Sequence, residues 1–130
     1  MPKRMIFNFE KLDVWQKSKE LISKIYAITG KFPEREKFAL SSQMQRAAVS
    51  VASNVAEGSS RSSLKDQLRF TEIAYGSLME LYCQLLIAND LGYIDEQCIE
   101  DMQSEIEYVF TKLSALRNSQ QKRLNTPPKP

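Results

Sequence analysis

Residues 44–58, MQRAAVSVASNVAEG, constrain the fold more than any other stretch of the chain. Set at 100° per residue, Leu40, Met44, Ala47, Ala48, Val51 and Val55 fall on one side. Val49, Ala52 and Ala56 widen that arc well beyond the stripe of an ordinary surface helix. Polar groups are confined to a narrow strip of Arg46, Ser50, Ser53, Asn54 and Glu57. A helix this apolar must be covered on more than one side, and its many Ala and Ser positions let neighbouring backbones come close. The stretch predicts the central helix of a bundle, with a second subunit as one of its covers.

The rest of the chain supplies helices to cover it. Val14, Ser18, Leu21, Ile22, Ile25 and Ile28 give a helical stripe over 13–29, widened by Trp15 and Tyr26. Gly30 suits a left-handed helix end, and Phe32-Pro33 marks the connector, because the residue before proline is pushed out of the helical region. The second helix spans 36–57 and stops at Gly58. Ser63-Leu64-Lys65-Asp66 fits a capping box opening a third helix over 63–91. Phe70, Ala74, Leu78, Leu81, Leu85 and Ala88 form its main stripe, and Leu68, Tyr75, Met79, Tyr82 and Leu86 a second one beside it. Two stripes imply two partners, the bundle's own core and something outside it. Gly92 ends this helix, and Asp95 caps a fourth over 95–117. Its seam of Ile99, Met102, Ile106, Val109, Leu113 and Leu116 alternates threes and fours, the pattern of near-parallel bundle packing. No strand pattern competes. The expected fold is all-α, an antiparallel up-down-up-down four-helix bundle over 1–117. Residues 1–9 form an arm that Ile6, Phe7 and Phe9 can pin, and 118–130 (NSQQKRLNTPPKP) form a disordered tail.

The 130 residues suffice for one domain with its own core. No apolar run is long enough to span a membrane, and no secretion signal is evident at the start. Cys83 and Cys98 lack metal-ligand spacing and read as reduced thiols, so a cytoplasmic setting is expected. The net charge of +2 hides a strong segregation. Residues 1–69 carry thirteen Lys/Arg against seven Asp/Glu, 70–111 nine acids and no base, and 112–130 five bases. Dispersed bases favour complementary faces within or between subunits over one polyanion surface.

Enzyme chemistry has little to work with. Histidine is absent, which removes Ser-His-Asp and Cys-His arrangements and the Glu-x-x-His pairs of a di-iron bundle. Ser62-x-x-Lys65 matches a serine–lysine pattern without its partner motifs. Glu57, Glu72 and Glu80 offer carboxylates to a hard cation, but nearby bases favour ion pairing. No cofactor, metal site or catalytic residue is expected. The strip Arg46, Ser50, Asn54, Glu57 can hydrogen-bond in a line, since residues three and four apart face each other. The reading preferred for it is a buried polar ladder to the third helix through Glu72, Gly76 and Glu80, with Gly76 permitting close approach and Arg46 or Arg69 balancing a carboxylate. A ligand or nucleic-acid site ranks second.

Several segments also match a known signature. Phe32-Pro33, Leu40, Gln43, Arg46-Ala47-Ala48-Val49-Ser50, Asn54-Val55-Ala56-Glu57-Gly58 and Arg61 form one half of it. Ile73-Ala74-Tyr75-Gly76-Ser77-Leu78-Met79-Glu80-Leu81 forms the other. Together they resemble the four-helix-bundle family of bacterial 23S rRNA intervening-sequence proteins, which includes the accessory variability protein of diversity-generating retroelements. The resemblance runs from about Phe9 to Tyr93. It implies a homo-oligomeric ring, commonly a pentamer, and nucleic-acid binding in some relatives. It also marks Arg46, Ser50, Asn54, Glu57, Gly58, Gly76, Ser77 and Glu80 as the family-motif strip. Family members often carry proline where this chain has Ala52, so the kink seen in relatives is not expected here.

The sequence therefore predicts a non-enzymatic, homo-oligomeric binding or scaffold protein whose main partner is itself. The alternative is a structured-RNA or DNA binder. Its phosphate contacts would come from Lys17, Lys24, Arg35, Lys37, Arg46, Arg61, Lys65 and Arg69, multiplied by ring assembly.

Overall fold

The computed structural model describes residues 3–127 and contains four long helices. They are α1 (Asp13–Thr29), α2 (Leu40–Ser59), α3 (Leu64–Asp90) and α4 (Glu96–Asn125). Short 3₁₀ turns at Asn8–Lys11 and Glu34–Glu36 precede α1 and α2. Each helix packs on the next in the chain, and α4 closes the circle on α1. The links between them run antiparallel. Gln45 meets Thr29, Ser50 meets Ser77, Tyr75 stacks on Phe110, and Lys24 pairs with Glu105. These links fit an up-down-up-down order.

The core follows the expected stripes. Leu21, Ile25, Met44, Ala48, Val51, Ala74, Leu78, Leu81, Leu85 and Leu113 are fully buried. Ile99, Met102, Ile106 and Val109 complete the α4 seam, with Leu116 half-buried. Ser18 is buried without penalty because its hydroxyl donates to the Val14 carbonyl one turn back, at 2.6 Å. α2 continues through Ala52 without interruption.

The helix ends correct three expectations. Gly30 is right-handed, φ −61°, so α1 does not close on a left-handed residue; Gly92, at φ +77°, does so for α3. There the Tyr93 N–H donates to Ala88 O (2.9 Å) and the Gly92 N–H to Asn89 O (3.0 Å), satisfying carbonyls that the helix leaves free. α2 begins at Leu40 rather than 36, because the chain leaving Pro33 first makes its 3₁₀ turn. Gly58 lies inside α2, which runs on to Ser59. Its reason is packing: a Cβ at Gly58 would sit 3.0 Å from the Cβ of Phe70. Ser63 caps α3 by accepting from the Asp66 N–H at 3.1 Å, and Asp95 caps α4 through the Cys98 N–H at 2.8 Å.

The largest departure is at the end of α4. Residues expected to be disordered continue the helix to Asn125, with Gln120 buried. The run Gln-Gln-Lys-Arg-Leu consists of good helix formers. The helix stops because Thr126 precedes Pro127 and adopts an extended conformation, ψ 126°. The last three residues of the expected tail, 128–130, lie outside the described residues.

The second stripe of α3 is also mostly spoken for. Tyr75, Met79 and Tyr82 pack against the bundle core, and Tyr75 stacks on Phe110 of α4 at 5.5 Å; only Leu86 of that stripe is exposed. In the arm, Phe9 meets Trp15 edge-on at 4.9 Å, whereas Ile6 and Phe7 stay exposed. Glu10 tightens it by accepting the Phe7 N–H (2.9 Å) and pairing with Arg4 (2.8 Å). Those two bonds, the backbone one first, hold the Glu10 carboxyl below its usual range.

Candidate functional site

The motif strip lies on the outer seam between α2 and α3, and it is not buried. Arg46, Glu57, Gly76 and Glu80 are exposed; Ser50, Asn54 and Ser77 are half-buried; only Gly58 is enclosed. The expected ladder shrinks to its middle. The Ser50 and Ser77 hydroxyls lie 2.8 Å apart, and the Asn54 amide donates to the Ser50 carbonyl (2.8 Å) and hydroxyl (3.0 Å). Polar side chains on one helix face thus tie α2 to α3 at a single point.

The carboxylates diverge instead of converging. Glu57 pairs with Arg61 one turn on (3.0 Å), Glu72 reaches Arg117 of α4 (3.9 Å), and Glu80 accepts from Gln84 (3.2 Å). Neither Arg46 nor Arg69 balances any of them among the described residues. Nor does Gly76 permit close approach, since a Cβ added there would meet nothing within 4 Å. The seam is a shallow surface of small side chains, with Arg46, Glu57 and Glu80 on its margins and Ile73, 39% exposed, on the α3 side.

The basic candidates do not form one surface. Lys17 pairs with Glu20 (3.4 Å) and sits over the Tyr108 ring, and Lys24 pairs with Glu105. Arg35 donates to the Tyr93 hydroxyl (3.3 Å), and Lys37 lies 4.0 Å from Glu34, both at the end of the bundle where α3 turns into α4. Arg61, Lys65 and Arg69 stand at the opposite end, where the guanidinium groups of Arg61 and Arg69 flank the Phe70 ring at 4.8 and 5.5 Å.

The antiparallel α3–α4 hairpin explains the sorting. It folds the acidic run 70–111 onto itself around the Gly92 turn, leaving the bases on either side of that run at the far end. Lys112, Arg117, Lys122 and Arg123 join Arg61, Lys65 and Arg69 there. Sequence reasoning placed Lys112 and Arg117 in the fourth helix without assigning them a surface role, and it took Lys122 and Arg123 for part of a disordered tail. Charge is thus segregated end to end, although α1 also lays Lys24 against Glu105 and Asp13 against Lys112 (3.7 Å).

Comparison with known proteins agrees with this architecture. A crystal structure of a protein of unknown function from the S23 ribosomal protein family of Bacteroides thetaiotaomicron superposes with a TM-score of 0.72. It is 22% identical, and the match covers 80% of this chain and 97% of that one. No curated protein matches. The family model described as 23S rRNA-intervening sequence protein matches residues 10–115. That span takes in all of α1 to α3, the motif strip and most of α4, and the chain belongs to this family.

Proposed function

We propose that the protein is a non-enzymatic, cytoplasmic scaffold that assembles with copies of itself and presents the α2–α3 strip as a contact surface. The observation that carries this reading is the exposure of the strip. The apolar residues of the family motif are accounted for by the core, but its polar strip lies largely outside the core, so packing within the bundle does not account for that strip. The surface is flat and built from small side chains, and it offers an ion pair, an unpaired Arg46 and the exposed Ile73 to whatever lies on it. Among the described residues no helix is long and apolar enough to cross a membrane. Sedimentation velocity over a range of protein concentrations tests the reading. Closed oligomers of defined mass support it, and a monomer at every concentration overturns it. Loss of assembly on Arg46→Glu or Gly76→Trp, without loss of helicity, assigns the contact to the strip.

A second reading has its own observation, the basic end. Lys65, Arg69, Lys122 and Arg123 are exposed there without ion pairs among the described residues, and a ring of copies would repeat them. Titration of labelled structured RNA and duplex DNA across a salt series tests it. Binding whose logarithm falls linearly with log salt, and weakens when these four bases are neutralised, supports nucleic-acid binding. No binding at low salt excludes it.

A further inference from the structure

One side chain stands apart from every other apolar group. Phe38, on the connector between α1 and α2, is 88% exposed, more than any other large apolar residue described. Aliphatic residues scattered singly over a surface are ordinary, but a phenyl ring held out in water forgoes the burial that is its main contribution to stability. The connector holding it is well anchored. Phe32 is buried against the Tyr93 ring at 5.2 Å, and the Tyr93 hydroxyl donates to Glu36 (2.8 Å) while accepting from Arg35 (3.3 Å). Lys37 stands beside the exposed ring, its ammonium 5.5 Å from the centroid.

The same end of the bundle carries a matching depression across α1 from the connector. α1 and α4 are the most loosely packed neighbouring helices, and between them runs a groove of about 700 Å³, continued by a hollow of about 250 Å³. Ala27, Ile28 and Cys98 line both parts, Met102 lines the larger, and Asp95 and Asp101 stand at the side. Neither aspartate has an ion pair among the described residues. A groove of this size takes an aromatic ring with room to spare.

We infer that the groove is covered by a second copy of this chain, with Phe38 of one copy seated between Ala27–Ile28 and Cys98–Met102 of the next. Lys37 then approaches Asp95, which accepts from the Cys98 N–H, and Asp101, which accepts from Gln97. An apolar knob with a cation beside it thus meets a groove whose two aspartates have no cation paired with them among the described residues, Lys24 of the same lining being held by Glu105. The inference rests on the self-assembly reading and adds to it which surfaces meet. Knob and groove are different patches, so the contact is heterologous: each copy gives one ring and receives one. Because both lie at the same end of the bundle, successive copies stand side by side pointing the same way. Heterologous contacts of this kind close into a ring where the rotation between copies returns to the start and run on into a filament where it does not.

Cys98 makes the contact directly testable. In a Cys83→Ser background, Phe38→Cys is oxidised and run on non-reducing gels. Covalent dimers and higher multimers that collapse on reduction are expected. They should be absent from Cys83→Ser alone and from the triple variant that also carries Cys98→Ser. Independently, Phe38→Ser should raise the concentration of half-dissociation at least about tenfold while leaving the circular dichroism and melting temperature of the dilute, unassembled chain unchanged. Ala27→Arg should act likewise, and the two together should add little. Covalent dimers that persist in the triple variant would place Phe38 against Phe38 and overturn the inference. So would unchanged assembly of Phe38→Ser with Cys98 as open to a thiol reagent in the oligomer as in the dilute chain; a different occupant would then own the groove. In both cases wild-type assembly would stand. A wild-type chain that is monomeric throughout overturns the assembly reading itself.

Discussion

Ser50 and Ser77 meet hydroxyl to hydroxyl across the α2–α3 seam at 2.8 Å, and Asn54 donates into the same Ser50 oxygen. Three half-buried polar groups thus satisfy one another where small residues bring two helices together. A double-mutant cycle of Ser50→Ala, Ser77→Ala and the pair checks this. Each single change should cost about 1 kcal/mol in chemical denaturation, the net contribution of an ordinary hydrogen bond. The double variant should cost less than the sum. Strict additivity would mean that the hydroxyls share no bond.

Gly58 and Gly76 belong to the same motif yet predict opposite outcomes on substitution. Alanine at Gly58 places its Cβ 3.0 Å from the Phe70 Cβ. The resulting overpacking, on the order of 1–3 kcal/mol, should outweigh the gain in helix propensity of about 0.5–1 kcal/mol. Alanine at Gly76 meets nothing within 4 Å, so only the propensity gain remains and the isolated bundle should melt higher. Thermal melts below the assembly concentration compare the two; a shift of the same sign in both would overturn the assignment.

The contrast marks what the sequence could and could not say. The stripes of α1 and α4 were legible because the period of apolar residues alone decides which face is buried. Helix identity, helix order and the Asp95 and Ser63 caps followed from local signals. The two glycines did not, because the distance from Gly58 to Phe70 is set by how α2 and α3 approach, which no local pattern encodes. The second stripe of α3 was real but misassigned: Tyr75, Met79 and Tyr82 looked surplus to one core because the stacking partner Phe110 lies a helix away. The polar strip was legible residue by residue, but not its exposure or the pairing of Glu72 with Arg117, because both depend on how α2, α3 and α4 sit together.

That tail yields a prediction of its own. Residues 118–125 are helical, and Gln120 is buried. A chain ending at Arg117 should lose helical signal in far-ultraviolet circular dichroism in proportion to the missing turns. It should also lose stability, roughly 1–3 kcal/mol as for other changes that remove packed structure. A truncated chain whose helical signal per mole of chain and melting temperature are both unchanged would return this segment to disorder.

The two thiols should react at different rates. Cys83 is exposed, whereas Cys98 is half-buried in the α1–α4 groove. Burial pushes the Cys98 thiol above its ordinary value of 9.0, and Asp95 and Asp101 push the same way, with Lys31 opposing. In the dilute chain, alkylation of the half-buried Cys98 should therefore lag that of the exposed Cys83 at neutral pH, and the Cys98 rate should rise through a midpoint above its ordinary 9.0. The folded chain holds this proton more tightly than the unfolded one does. Its contribution to stability is thus full below about pH 9 and is lost as pH rises through the folded-state value. Asp101→Asn removes one of the carboxylates that disfavour the thiolate. It should bring the Cys98 midpoint down towards its ordinary value and speed its alkylation, and an unchanged or rising midpoint would show that the aspartate does not act on the thiol.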